Sequence, residues 1–145
     1  MGDANWFIKV ANSPEKLQLA NFRDKTYFPD FSVIPFELQI DLNFHRMIDD
    51  RHPWPRKHWC FMAEIEAIEN VNRLRLLVHS SGIPLPIAFH TKDKGAEFAS
   101  KARVRHTVAV LYADKHAFSD GSIGVRVGIA RNAKVGVFPY LRRCR

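Results

Sequence analysis

From His106 to Val127 the chain alternates. Val108, Val110 and Tyr112 are spaced by two, with Thr107, Ala109 and Leu111 between them. Ile123, Val125 and Val127 repeat that spacing around Gly124 and Arg126. A period of two sends successive side chains to opposite faces of a pleated sheet. Asp120-Gly121 between the runs is a strong turn signal, so the pattern predicts two strands joined by a turn. The same period appears upstream. Phe61, Ala63, Ile65 and Ala67 share one face of residues 61–71, with Glu64 and Glu66 on the other. The Ala and Glu content there is helix-friendly, but the β pattern that follows decides for strand. Leu74, Leu76 and Val78 then alternate with Arg73, Arg75 and Leu77. Ser80-Ser81-Gly82 turns the chain into Ile83, Leu85, Ile87 and Phe89, where Pro84 and Pro86 suggest an edge strand. Residues 94–102 fit about two helical turns. A last run, 134–138, extends the fifth strand past a bend at 128–133.

The order is strand, strand, strand, short helix, strand, strand. It predicts a mostly β fold, an OB-fold-like five-stranded barrel with a short helix between strands three and four. The first fifty residues read differently. Trp6, Phe7, Ile8 and Val10 suggest a short strand or docked arm. Ser13-Pro14-Glu15 is a helix start, because Ser caps free N–H groups and Pro fits the first helical position; the helix is expected to reach about Lys25. Residues 26–36, with two prolines and several aromatics, read as an extended packed segment. Residues 37–50 fit both periods: Leu38, Ile40, Leu42 and Phe44 suit a strand, Ile40, Phe44, Met47 and Ile48 a helix. Strand is preferred at the start. Pro53 and Pro55 mark a boundary. The expected organisation is an N-terminal arm with a short helix over residues 1–52, the barrel over 53–139 and a basic tail over 140–145.

Composition adds few constraints. The chain has 145 residues, 46% hydrophobic, enough for one domain with a core. It lacks a long apolar run, a signal-peptide start and, with Trp6, the myristoylation pattern, so the expectation is an intracellular protein, cytoplasmic or nuclear, away from membranes. Its two cysteines, Cys60 and Cys144, make no disulfide framework. Charge is more informative. Residues 1–50 hold five Lys/Arg against eight Asp/Glu, whereas 51–145 hold 17 against seven, and the whole chain carries +7. A basic half attracts anions such as nucleic acid, although a solvated basic surface has the same composition.

Two patches carry a resemblance. WPRKHWCFMAEIE, Trp54 to Glu66, and TVAVLYADKHAFSDGSIGVRV, Thr107 to Val127, closing in VGVFP, resemble a β-rich module of proteins from mushroom-forming fungi. The resemblance covers about residues 53–139. Many members of that group carry a MYND-type zinc finger downstream, often used for protein contacts. The resemblance therefore implies a β-rich fold more than a function. This chain ends at Arg145 without the finger's cysteine cluster, so the finger's role does not transfer. A natural short form and a truncated form both fit.

Catalytic and cofactor motifs are missing. There is no G-x-S-x-G, no cysteine-hydrolase signature and no phosphate loop; Gly121 and Gly124 read as a turn and a strand twist. The expectation is a non-enzyme with no cofactor. His52, His58 and Cys60 lie close in sequence, but a zinc site needs three or four converging ligands, and a Trp/His-rich packing corner is the simpler reading. Two binding readings remain. The first is a protein-interaction module with an unidentified protein partner. The second is single-stranded nucleic-acid binding in an OB groove, by cations and stacking aromatics. The residues singled out for it are Arg73, Arg75, Arg103, Arg105, Lys115, Arg126, Trp59 and Phe118, with Lys92, Lys94, Trp54, Phe89 and Tyr112 as further candidates. The protein reading is preferred because these aromatics do not visibly share one surface in sequence. Oligomeric state is not specified.

Overall fold

The computed structural model describes residues 21–137. Two short strands, β1 (His45–Met47) and β2 (Pro53–Pro55), pair with each other. The rest of the strands are β3 (Cys60–Val71), β4 (Arg73–Ser80), β5 (Ile83–Phe89), β6 (Thr107–Leu111), β7 (Lys115–Ala117), β8 (Ile123–Val127) and β9 (Ala133–Gly136). One helix, α1 (Ala96–Lys101), lies between β5 and β6. The main sheet has seven strands in the order β7-β8-β5-β4-β3-β6-β9.

This is the OB order. β3, β4 and β5 form an antiparallel meander, a helix follows, β6 returns to β3, and β8 lies parallel to β5. β3 is long because it serves two partners. Its first half, Cys60–Glu64, pairs with β6, and its second half pairs with β4. A register shift between Ile65 and Ala67 marks the bend between halves. β8 and β9 act together as the broken fifth strand. One turn of 3-10 helix, Ala130–Asn132, carries the chain from the β5 side to the β6 side. The sheet does not close on itself; its edge strands are β7 and β9.

Alternation in the sequence sets the core. Leu74, Leu76 and Val78 are buried while Arg73, Arg75 and Leu77 stay partly exposed. Phe61, Ala63, Ile65, Leu85, Ile87, Phe89, Val108, Val110, Val125 and Val127 complete the interior. The arm contributes as well: Phe31, Ile34 and Phe44 belong to the same core cluster. Phe28 packs on the outer side of β3 and β6 with Cys60, Ala109 and Leu111, so β6 is buried on both faces. Gly124 is required by contact. A Cβ there would sit 2.1 Å from the Pro86 carbonyl oxygen.

Three expectations need correction. The strands of 106–127 are not a hairpin: β6 pairs with β3 and β9, and β7, which the sequence reading omitted, pairs with β8. Residues 37–44 form turns rather than a strand, with Leu38, Ile40 and Leu42 exposed and Leu38 at φ 66°. Residues 21–25 are coil and turn; the remainder of the expected N-terminal helix, like the strand at 6–10 and the tail at 140–145, lies outside the described residues. Among the described residues no helix is long and apolar enough to cross a membrane.

Candidate nucleic-acid interface

Pairing register places Arg75 opposite Ala88 and Ala88 opposite Arg126. Directly paired residues point to the same face, so Arg75 on β4, Ala88 on β5 and Arg126 on β8 form one row on the outer face. Ala88 makes a low floor between two cations. The period of two extends the face. Arg73 and His90 lie beyond one end of the row, and Ser122 and Gly124 share the Arg126 side of β8. β7 pairs His116 with Gly124, bringing His116 and then Phe118 to this face.

The side chains meet there. The Arg75 guanidinium sits 5.8 Å from the centre of the Phe118 ring. Its Nη2 donates to Asp120 Oδ2 at 3.2 Å and Ser122 Oγ at 3.3 Å. The Asp120 carboxyl is held below its usual range by hydrogen bonds from Ser122, and Arg75 adds to this. His90 stacks on Phe118 with centroids 6.4 Å apart and planes 30° apart, while His116 meets Phe118 edge-on at 4.7 Å. Burial, with Arg73 and Arg126 nearby, lowers the His90 pKa, so its ring is neutral at neutral pH. Arg73 Nη1 donates to the Phe89 carbonyl at 2.8 Å. Arg126 Nη2 donates to Glu37 of the arm.

The residues expected from sequence divide cleanly. Arg73, Arg75, Arg126 and Phe118 come together. Arg103 and Arg105 do not: they follow α1, Arg103 donates to the Ser100 and Ala102 carbonyls, and the Arg105 N–H bonds Ile65 on β3. Lys115 belongs to the opposite parity. Its Nζ donates to the Ser32 carbonyl at 2.8 Å and lies over the Phe31 and Phe36 rings, which pins the arm. Trp59 cannot stack on a ligand. It is 2% exposed, donates from Nε1 to the Ala113 carbonyl and packs edge-on against Phe44 and Tyr112. Phe89 is likewise core, and Tyr112 is engaged by His58. Lys92, Lys94 and Trp54 are exposed outside the row.

Sequence reasoning passed over His90, His116, Glu37 and Asp114. The spacing of two in Lys115-His116-Ala117-Phe118 was a signal for β7. The cluster His52, His58 and Cys60 does not converge. His52 faces Asp49, His58 faces Tyr112, and Cys60 is buried with its thiol pKa pushed up by burial. Among the described residues no group of three or more His, Cys, Asp or Glu is placed to hold a metal ion.

No family model and no curated protein matches this chain. Solved structures show a remote likeness. A chain of the S. pombe Stn1-Ten1 complex is 14% identical, with a TM-score of 0.46 over 73% of this chain and 75% of that one. A chain of a Replication Protein A heterotrimer bound to ssDNA is 16% identical, with a TM-score of 0.43 over 75% and 84%. The tetrameric p202 HIN2 is 8% identical, with a TM-score of 0.40 over 57% and 43%. The strand pairing described above, not these likenesses, defines the OB topology.

Proposed function

We propose that this OB domain is a non-catalytic binding module whose outer β4-β5-β8 face takes single-stranded nucleic acid. The row Arg75–Ala88–Arg126 with Phe118 beside it supports this reading above all. OB domains bind strands on this region, where cations track the backbone and aromatic rings stack bases. Arginine carries five N–H donors, so Arg75 and Arg126 retain free donors for phosphate beyond those given to Asp120 and Glu37.

The test is fluorescence-anisotropy titration with labelled single-stranded DNA and RNA across salt concentrations. Binding whose log affinity falls linearly with log salt, and whose slope shrinks by about one for Arg75→Ala or Arg126→Ala, supports the reading. No binding even at low salt rejects it.

A second reading has its own observation. The arm exposes Leu38, Ile40, Leu42 and Ile48, and Trp54 on β2 just after it is exposed too. Exposed apolar side chains gathered in one segment suit a protein partner. On this reading the arm docks a protein. Pull-down with wild type against a Leu38→Ser, Leu42→Ser, Trp54→Ser variant separates it from the first, because those changes leave the arginine row intact.

A further inference from the structure

The sheet is not closed, its edge strands being β7 and β9, and residues 128–132 carry the chain from β8 to β9 past the end of β6. A cavity of about 350 Å³ lies at this seam. That is within the range of small-ligand sites, about 300–1,000 Å³. Val110, Val127 and Ile129 give it apolar walls, and Asp114, Arg126 and His90 give it polar ones. Arg126 and His90 also belong to the outer face, so the cavity is continuous with the arginine row. Tyr112, at the end of β6, takes φ 57°, a left-handed conformation rare for a bulky residue. Such a conformation is held only where the surroundings enforce it, and it sits beside the cavity.

Asp114 is the unusual group. Its carboxyl has no hydrogen bond to any other described residue. Burial, and after it the Glu37 carboxylate, push its pKa up to about 6, while Arg126 and His116 pull the other way. Among the described residues its own backbone N–H is the only donor to it, so the carboxyl keeps lone pairs open for a donor on a ligand. The cavity therefore suits a flat, largely apolar group with an N–H edge. Cytosine, adenine and guanine offer an exocyclic amino group, whereas thymine offers only N3–H, flanked by two carbonyl oxygens that a carboxylate repels.

We propose that this seam cavity takes one unstacked base of the bound strand, with Asp114 accepting from the base's exocyclic amino group. The proposal rests on the nucleic-acid reading of the outer face. Single-stranded recognition commonly splays a base out and reads its Watson–Crick edge.

The experiment compares labelled oligo-dC and oligo-dT of about 12 nucleotides, a length matched to an OB site, at a pH of about 7.5. Oligo-dC is expected to bind about tenfold more tightly, the discrimination typical of a base-edge contact. Asp114→Ala is expected to erase that ratio while oligo-dT binding is retained. Free cytidine monophosphate is expected to compete at least about tenfold more weakly than oligo-dC, because it lacks the neighbouring backbone contacts. Equal affinity for the two oligomers, or a ratio that survives Asp114→Ala, overturns the base pocket while the outer-face reading stands. Equal competition by the free nucleotide overturns the strand-borne base in favour of a mononucleotide site. Failure of both oligomers to bind at low salt rejects the outer-face reading and the pocket with it.

Discussion

Glu37 Oε1 accepts a hydrogen bond from Arg126 Nη2 at 2.8 Å and lies 3.1 Å from His116 Nδ1. The backbone fixes this placement, since the Glu37 N–H bonds the Lys115 carbonyl and Phe36 bridges to Lys115. A carboxylate from the acidic arm thus occupies part of the basic face, where a phosphate of a bound strand would compete with it. Glu37→Gln keeps the shape and removes the charge. On the nucleic-acid reading it is expected to tighten single-strand binding about two- to fivefold, the scale of a partly exposed ion pair, and to steepen the salt slope. Anisotropy titrations of the two proteins side by side check this. Weaker binding by the variant would mean that Glu37 orders Arg126 rather than opposing the ligand.

Phe118 is expected to act by stacking. It is half-buried, with its ring between Arg75, His90 and His116. Phe118→Ala should cost about 1–3 kcal/mol of single-strand binding, as base stacking does, with the salt slope unchanged. Arg75→Ala should give the opposite signature, a smaller slope. If both variants changed only the slope, the ring would be no more than a support for the guanidinium.

The arm is expected to be part of the folding unit. Phe31 is 5% exposed, its ring lies 6.1 Å from that of Phe61, and its N–H donates to Ser80 Oγ at 3.0 Å. Phe31→Ala removes a large buried ring from the core cluster that also holds β3 and β4. Losses of about 3–5 kcal/mol follow such a change in a packed core. Urea denaturation followed by tryptophan fluorescence, with Trp59 in the core as reporter, should show one transition at a much lower midpoint. Two separate transitions would instead make the arm an independent unit.

Several of these relationships were legible in the sequence and others were not. Alternation fixed the inward faces of β3, β4 and β5 because a spacing of two survives any choice of pairing partner. The short helix was legible for the same local reason. Pairing was not: β6 and β8 are near neighbours in sequence but lie on opposite sides of β3 and β5. Spacing sets a strand's face, not its neighbour. Trp59 looked like a stacking group only because an aromatic beside basic residues reads the same whether it is buried or exposed. Leu38, Ile40 and Leu42 had strand spacing, yet Leu38's left-handed backbone breaks the extended chain. The contacts of Glu37 with His116 and Arg126 cross 79 and 89 positions, where no local pattern reaches.

Asp114 gives a stability test that needs no ligand. Its folded pKa is raised to about 6 from an ordinary 3.8, mainly by burial and then by Glu37, against the pull of Arg126 and His116. A raised pKa means that the folded state binds the proton more tightly than the unfolded state. The protonated carboxyl therefore favours folding fully below pH 3.8, and that contribution is lost as pH rises to about 6. Above that, the folded protein carries an ionised, half-buried carboxylate. Asp114→Asn keeps the shape and removes the titration. At neutral pH the variant should be more stable than wild type by on the order of 1 kcal/mol, since solvent screens a partly exposed group. At about pH 4, where the wild-type carboxyl is largely protonated in the fold, the gap should shrink toward zero. Melting curves of both proteins across this range decide it. A constant difference would show that the amide acts through packing, whereas a variant less stable than wild type at neutral pH, with the deficit vanishing toward acid, would mean that Arg126 outweighs burial and that the Asp114 carboxylate is satisfied within the fold.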